Sequence, residues 1–241
     1  MFEADLHVHT AHSPCAEAEM TPLSIVEEAV RLGLDIIAIC DHNRASNTAP
    51  AIEAAGSALA VIAGMEITTA EEVHVLGFFP SAEVANEAAE EVGRTLPRAT
   101  PEGTGTEGAQ TRRPGSTRAA ADDGWLFGAA SGLDLERVVG LVKRHGGLAV
   151  AAHVDRPSYS VFSQLGFFPE QCAFDAIEIS AANATPPWAA RIGELRLPVV
   201  RGSDAHFLSE LGACRTRLRM LAPTFEELAR ALAGDGGRGV L

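Results

Sequence analysis

Polar and apolar positions alternate in ADLHVH, residues 4–9, a period of two that predicts a strand with Asp5, His7 and His9 on one face. The period then lengthens. In MTPLSIVEEAVRLG, Leu23, Val26 and Val30 recur at helical spacing, Thr21 caps, Pro22 suits the first turn and Gly33 stops the helix. LDIIAIC, residues 34–40, is nearly unbroken in apolar and β-branched residues, as expected of a parallel strand covered on both faces. It ends directly in Asp41 and His42.

The same rhythm continues along the chain. A small-residue helix over 47–55 precedes strands in ALAVIAGMEI, ending near Glu66, and in EVHVLGFF, which carries His74. A helix follows over 81–92. Beyond the break described next come the helix LDLERVVGLVKRHGG, the strand LAVAAH ending at His153, the alternating FDAIEIS, and LPVVRGSDAH, a strand running into Asp204 and His206. TFEELARALAG closes the series as a helix.

Residues 93–124 interrupt it. That stretch is rich in Gly, Thr, Pro and Arg and nearly free of large apolar residues, so it cannot bury enough surface to offset its ordering entropy. The pattern resumes afterwards, which predicts one α/β domain over 1–234, a flexible insertion at 93–124 and a Gly-rich tail at 235–241.

Composition narrows the function. A net charge of −13 over 241 residues disfavours a long nucleic-acid duplex as partner and offers nothing to an anionic membrane, while a local basic pocket stays open. The four cysteines, Cys15, Cys40, Cys172 and Cys214, are widely spaced, without a Cys-x-x-Cys pair, so neither a disulfide framework nor a zinc ribbon is indicated. The N-terminus lacks the pattern of a secretory signal and no apolar run has the length of a membrane span, so a cytoplasmic protein is expected. Oligomeric state is left open.

The chemistry lies where strands end. His42, Glu66, His153, Asp204 and His206 each follow a predicted buried strand, and in a parallel barrel such ends meet at one mouth. His7, His9 and His74 join them from their own strands. Each piece alone has a plain explanation, since a His-x-His can be a hydrogen-bonded pair and the Asp of CDH a helix cap. Together they form a polar set too large to bury uncompensated. Divalent ions are the natural partner: imidazole and carboxylate suit zinc, manganese or iron, and there are more ligands than one ion can use. A cluster of two or three metals is expected.

In identity and order, HVH, DH, GME, EVHVLG, AHVDRP and GSDAH resemble the PHP family, named for polymerase and histidinol phosphatase. The resemblance covers nearly the whole chain apart from the insertion and the tail. It implies a distorted seven-stranded (β/α) barrel, related to the TIM barrel, with up to three metal ions. It also implies that His7, His9, Glu66 and Asp204 hold one ion, and Glu66, His74 and His153 a second, with Glu66 bridging. His42 and His206 would hold a third with one residue after the first strand. Many members carry Asp or His where this chain has SPC; Cys15 is the nearest candidate, with His12, Glu17 and Glu19 as alternatives.

The implied reaction is phosphate ester hydrolysis, with a hydroxide between two ions attacking phosphorus in line and Asp204, His206 or a water protonating the leaving oxygen. Arg156 is the favoured phosphate contact, with Asp155 as its structural alternative; Arg44 and Arg201 are weaker candidates. Asn43 fits turn chemistry better than substrate binding. Tyr159, Phe162, Phe167 and Phe168 either wall the site or anchor a loop, and Glu178 and Ser180 face the mouth. The expected substrate is a small phosphorylated metabolite, possibly a nucleotide or an oligonucleotide end. A metal-stabilised binding module and a hydrolase of a non-phosphate substrate are the alternatives.

Overall fold

A computed structural model describes residues 1–99, 124–180 and 188–241; most of the expected insertion, 100–123, lies outside them. The elements run β1 (Phe2–Val8), α1 (Pro22–Arg31), β2 (Ile36–Ile39), α2 (Thr48–Ala55), β3 (Ala60–Thr68), β4 (His74–Phe79) and α3 (Ala82–Gly93). They continue with α4 (Leu135–Arg144), β5 (Leu148–Ala151), α5 (Val161–Leu165), β6 (Ala176–Ile179), α6 (Ala189–Glu194), β7 (Val199–Arg201), β8 (Thr216–Arg219), α7 (Phe225–Leu232) and β9 (Gly239–Val240). Thr21 and Asp134 cap α1 and α4 with their side chains, and Pro22 opens α1 as its sequence predicts.

All nine strands among the described residues form one sheet in the order β7-β6-β5-β4-β3-β2-β1-β8-β9. The seven predicted strands are β1 to β7; β8 and β9 are additional. Thr-Arg-Leu-Arg in β8 alternates buried and exposed residues and pairs antiparallel with Phe2–Ala4. β9 pairs with β8, so residues 239–240 of the expected tail are part of the sheet. β7 does not form a ladder with β1: the two ends meet through a parallel bridge between Val8 and Ala205 and a hydrogen bond of 3.1 Å from His9 N to Ala205 O.

The sheet is not uniformly parallel. β4 runs antiparallel to both β3 and β5. His74, first in β4, therefore pairs with Thr68, last in β3, and reaches the same rim as the C-terminal ends of its neighbours. Inside, Leu6, Ala38, Cys40, Leu76, Phe78, Val150 and Val200 form one apolar cluster that Leu228, Ala231 and Leu232 of α7 join. Helices α3 and α4 cover the outside of β3 to β5, and α1 and α2 cover β2.

A change of register between Asp5 and Val8 aims the site. Ala4 and Leu6 face the inner cluster, but Val8, of the same parity, packs outward with Ile37 and Ile39. Such an irregularity turns the following side chains over, so His7 and His9 point to Glu66, which shares a face of β3 with Ile62. The simple alternation of ADLHVH thus misplaced Asp5, whose carboxylate instead accepts from Ser203 N (2.9 Å) and Gly212 N (2.8 Å).

Candidate metal centre

Six imidazoles and two carboxylates from six separate stretches of chain come together at the rim. His7 Nε2 and His9 Nε2 are 3.1 Å apart. Asp204 Oδ1 lies 3.3 and 2.8 Å from these nitrogens, and Glu66 Oε2 lies 3.5 and 3.3 Å from them. Glu66 divides its two oxygens: Oε2 also faces His42 Nδ1 at 3.1 Å, while Oε1 faces His74 Nδ1 at 2.7 Å and His153 Nε2 at 3.1 Å. Donor atoms within 4.8 Å of one another fall into three groups: His7, His9, Glu66 and Asp204; His42, Glu66 and His74; and His9, His42 and His206. Cys15 stands beside the last, its Sγ 3.0 Å from His206 Nε2.

Hydrogen bonds from outside the cluster fix which ring nitrogens face inward. His7 Nδ1 donates to the Glu178 carboxylate at 3.0 and 3.1 Å, leaving the Nε2 lone pair for the centre. Ser13 donates to Asp41 (2.7 Å), so its oxygen accepts from His9 Nδ1 (2.8 Å). His206 Nδ1 donates to the carbonyl of Asp204 at 2.8 Å. Two of these lone pairs, on His7 and His9, therefore confront each other, and the buried Glu66 Oε2 and Asp204 Oδ1 have no aligned hydrogen-bond donor. Acceptors opposed in this way need a cation between them. Around a tetrahedral ion with bonds of about 2.0–2.1 Å, donors sit roughly 3.3 Å apart, in line with the spacings of 2.8–3.5 Å found here. The residues fit divalent metal.

The field points the same way. Burial disfavours protonated His7 and His9, but Glu178, Asp204 and Glu66 outweigh it, raising His7 well above the usual range and His9 to about 9. Burial alone would raise Glu66 and Asp204, yet the imidazoles around them hold both far below the usual carboxylate range. At His42, His74 and His206 burial, joined by neighbouring imidazoles, outweighs the carboxylates, and all three are lowered, His206 to about 4. Burial, with Glu66 and Asp204, pushes the Cys15 thiol up. Positive charge belongs at the Glu66 and Asp204 core.

The backbone is unusual at the same place. His153 (φ 29°) and Asp204 (φ 52°) lie in the left-handed region, as does Asn43 (φ 52°), and such conformations cluster at functional sites. Asn43 behaves as turn chemistry predicts, donating to Phe127 O and Ala129 O and accepting from Thr68 N. Gly202 is obligatory, since a Cβ there would collide with the Glu178 carboxylate and with His7.

His42, Glu66, His74, His153, Asp204 and His206 floor a cup of about 210 Å³ walled by Cys15, Arg156, Ser158 and Tyr159, while His7 and His9 are fully buried. Arg156 is paired with Asp204 through Nη1, not with Asp155, which instead accepts from Ser180 N and Oγ at 2.8 Å. Arg44 lies over the Phe127 ring at 4.3 Å, and Arg201 is exposed in β7. Among the predicted site residues, the metal candidates and Arg156 are thus brought together, and Arg44 and Arg201 are not among the cup's lining. Sequence reasoning missed the parts of Glu178, Ser13 and Asp41. Only the inward parity of Glu178 in AIEIS hinted at one of them.

A model of the PHP domain matches residues 5–162, and one of the PHP-associated region matches residues 189–234. The chain belongs to the PHP family. The PHP chain is 38% identical over 79 residues to the 5'-3' exoribonuclease Rnm of Escherichia coli, a match covering 30% of this chain and 26% of that protein. Its fold is similar to endonuclease Q of Pyrococcus furiosus, with a TM-score of 0.74 at 20% identity, covering 99% of this chain and 57% of that one. It is similar as well, with a TM-score of 0.70 at 20% identity, to endonuclease Q in complex with a 27-mer duplex substrate carrying an abasic lesion at the active site, covering 99% and 58%. The PHP chain therefore spans about a quarter of Rnm and somewhat over half of endonuclease Q.

One expectation is corrected by these relatives. Net charge argued for a small phosphorylated substrate and against a long duplex, but a chain of the same fold is solved on a 27-mer duplex and Rnm is a nuclease. The total charge of −13 averages over the whole surface and does not describe the local field at the rim, whose wall carries Arg156. No helix among the described residues is long and apolar enough to cross a membrane.

Proposed function

We propose that this PHP chain is a metal-dependent phosphoesterase that hydrolyses a phosphodiester bond of nucleic acid, at a nucleotide that is terminal or otherwise out of the base stack. The reading is carried by the convergence of Glu66, Asp204 and six imidazoles beneath a cup that also holds a guanidinium. The nuclease relatives support the choice of nucleic acid. His7, His9, Glu66 and Asp204 would hold one ion. Glu66, His74 and His42, with His153 on the same Glu66 oxygen as His74, would hold a second. His9, His42 and His206, with Cys15 beside them, are the donors for a third. Bound there, divalent ions would supply Lewis acidity and an acidified water.

The protein's own groups do the rest. Glu178 and Ser13 hold His7 and His9 in the tautomers that leave Nε2 facing the centre. Arg156, one third exposed, keeps N–H groups beyond its contact with Asp204 for a phosphoryl oxygen. Asp204 and His206 are both unprotonated at neutral pH in this field. Asp204, through the carboxylate oxygen not shared with His7 and His9, can accept the proton released by the attacking water, and its return to the leaving oxygen completes the hydrolysis.

Purified protein supplied with manganese or zinc is expected to shorten labelled single-stranded RNA or DNA, or to cut a lesion-bearing duplex, and His9→Ala is expected to lose at least about 100-fold of that rate. Metal-loaded protein that turns over none of these would sink the proposal.

A further inference from the structure

Four aromatic residues crowd positions 159–168, and the structure separates them. Phe162 is buried in the core against Phe168 and Trp188, Phe168 leans on Phe174, and Phe167 is exposed. Of the four, Tyr159 is the one that lines the cup. Its ring lies nearly parallel to that of His74, 4.7 Å between centroids and 21° between planes, and its carbonyl accepts from His74 N at 2.9 Å. It also adopts φ 55°, a backbone conformation that a bulky side chain rarely takes.

Size says what stands next to it. A cup of about 210 Å³ falls below the roughly 300 Å³ at which pockets begin to enclose a small organic ligand. On that size it takes a phosphoryl group and leaves the attached nucleoside outside, at the Ser158–Tyr159 wall or toward the adjoining cavity of about 430 Å³ that shares Cys15, Arg156, Asp204 and His206. On the Ser158–Tyr159 side a partly exposed aromatic ring, set in a strained backbone and already flat against a metal-candidate imidazole, offers a π surface at the cup itself. We infer that Tyr159 is a stacking platform for the base of the nucleotide whose phosphate enters the cup; this rests on the phosphodiesterase reading above.

The test compares two oligonucleotides that differ only in whether the nucleotide at the cleaved position carries a base or is abasic. With metal-loaded full-length protein, kcat/KM should favour the base-bearing strand by about 10-fold, inside the range that base–aromatic stacking supplies. Tyr159→Phe should keep that preference. Tyr159→Ala should lose it, chiefly through KM, with bound metal unchanged by elemental analysis. As a second readout, 2-aminopurine at that position should be quenched on binding to the parent and to Tyr159→Phe but not to Tyr159→Ala. Equal cleavage of the two strands by the parent protein, or a preference that survives in Tyr159→Ala, overturns the inference. So does loss of metal in Tyr159→Ala, which would make the ring a prop for His74. If neither strand is cut, the phosphodiesterase reading falls, and the quenching experiment still decides whether Tyr159 stacks.

Discussion

His9 and His206 are stacked 4.2 Å apart in one rim, yet the protein holds them in opposite states. His9, between Glu66 and Asp204, is raised to about 9; His206, half-buried with other imidazoles and a thiol for company, is lowered to about 4. Burial acts on both in the same direction, so the carboxylates make the difference. One half of the centre is built to hold positive charge firmly, and the other offers neutral nitrogen.

The most drastic way to break this contrast is Glu66→Gln, because both halves lean on the two oxygens of Glu66. Bound metal measured by elemental analysis should fall by at least one ion per chain, with activity on any phosphodiester substrate reduced about 1000-fold or more. Full metal content in Glu66→Gln would show that the two halves are independent. Glu178→Gln should act less severely, since it loosens His7 without removing a donor. A 10- to 100-fold loss of metal affinity is expected, about the usual effect of such outer hydrogen bonds, with the imidazole-rich group unaffected.

Acidity sharpens the same comparison. His9 has its folded value raised from 6.5 to about 9, so its protonated form stabilises the metal-free protein fully below pH 6.5, and that contribution disappears as pH rises through 9. Metal must displace this proton, so affinity for the first ion should climb as pH rises toward 9, with protons released on binding. His206, lowered to about 4, should impose no such dependence above pH 5. Calorimetry in buffers of different ionisation enthalpy measures the proton count. The smallest effect serves as a control: Arg31→Ala removes an exposed pair with Glu28 on α1 and should leave both thermal stability and metal binding essentially unchanged.

Much of this was legible beforehand, because polar residues at the ends of apolar strands are anomalous wherever they occur. His42, Glu66, His153, Asp204 and His206 announced themselves by interrupting buried runs, and the order of the strands implied a common rim. Direction was harder to read: nothing in EVHVLGFF says that β4 runs backwards, and the local register change in β1 is invisible to a strict period of two. The supporting hydrogen bonds were least legible. Glu178 meets His7 across 171 positions and Asp5 meets Ser203 across 198, distances at which a linear pattern carries no signal. The nucleic-acid relation was hidden for another reason, since a total charge says nothing about the few square ångströms where a phosphate lands.

The join between the two ends of the barrel is slight, a single bridge from Val8 to Ala205. His7 and His9 stand on one side of that seam and Asp204 on the other, so an ion gripped by all three would act as a clasp, fastening the opening strand to the closing one. Stripping the cation should let both lips of the seam fray together, and amide exchange at His9 would register it before the rest of the molecule yielded.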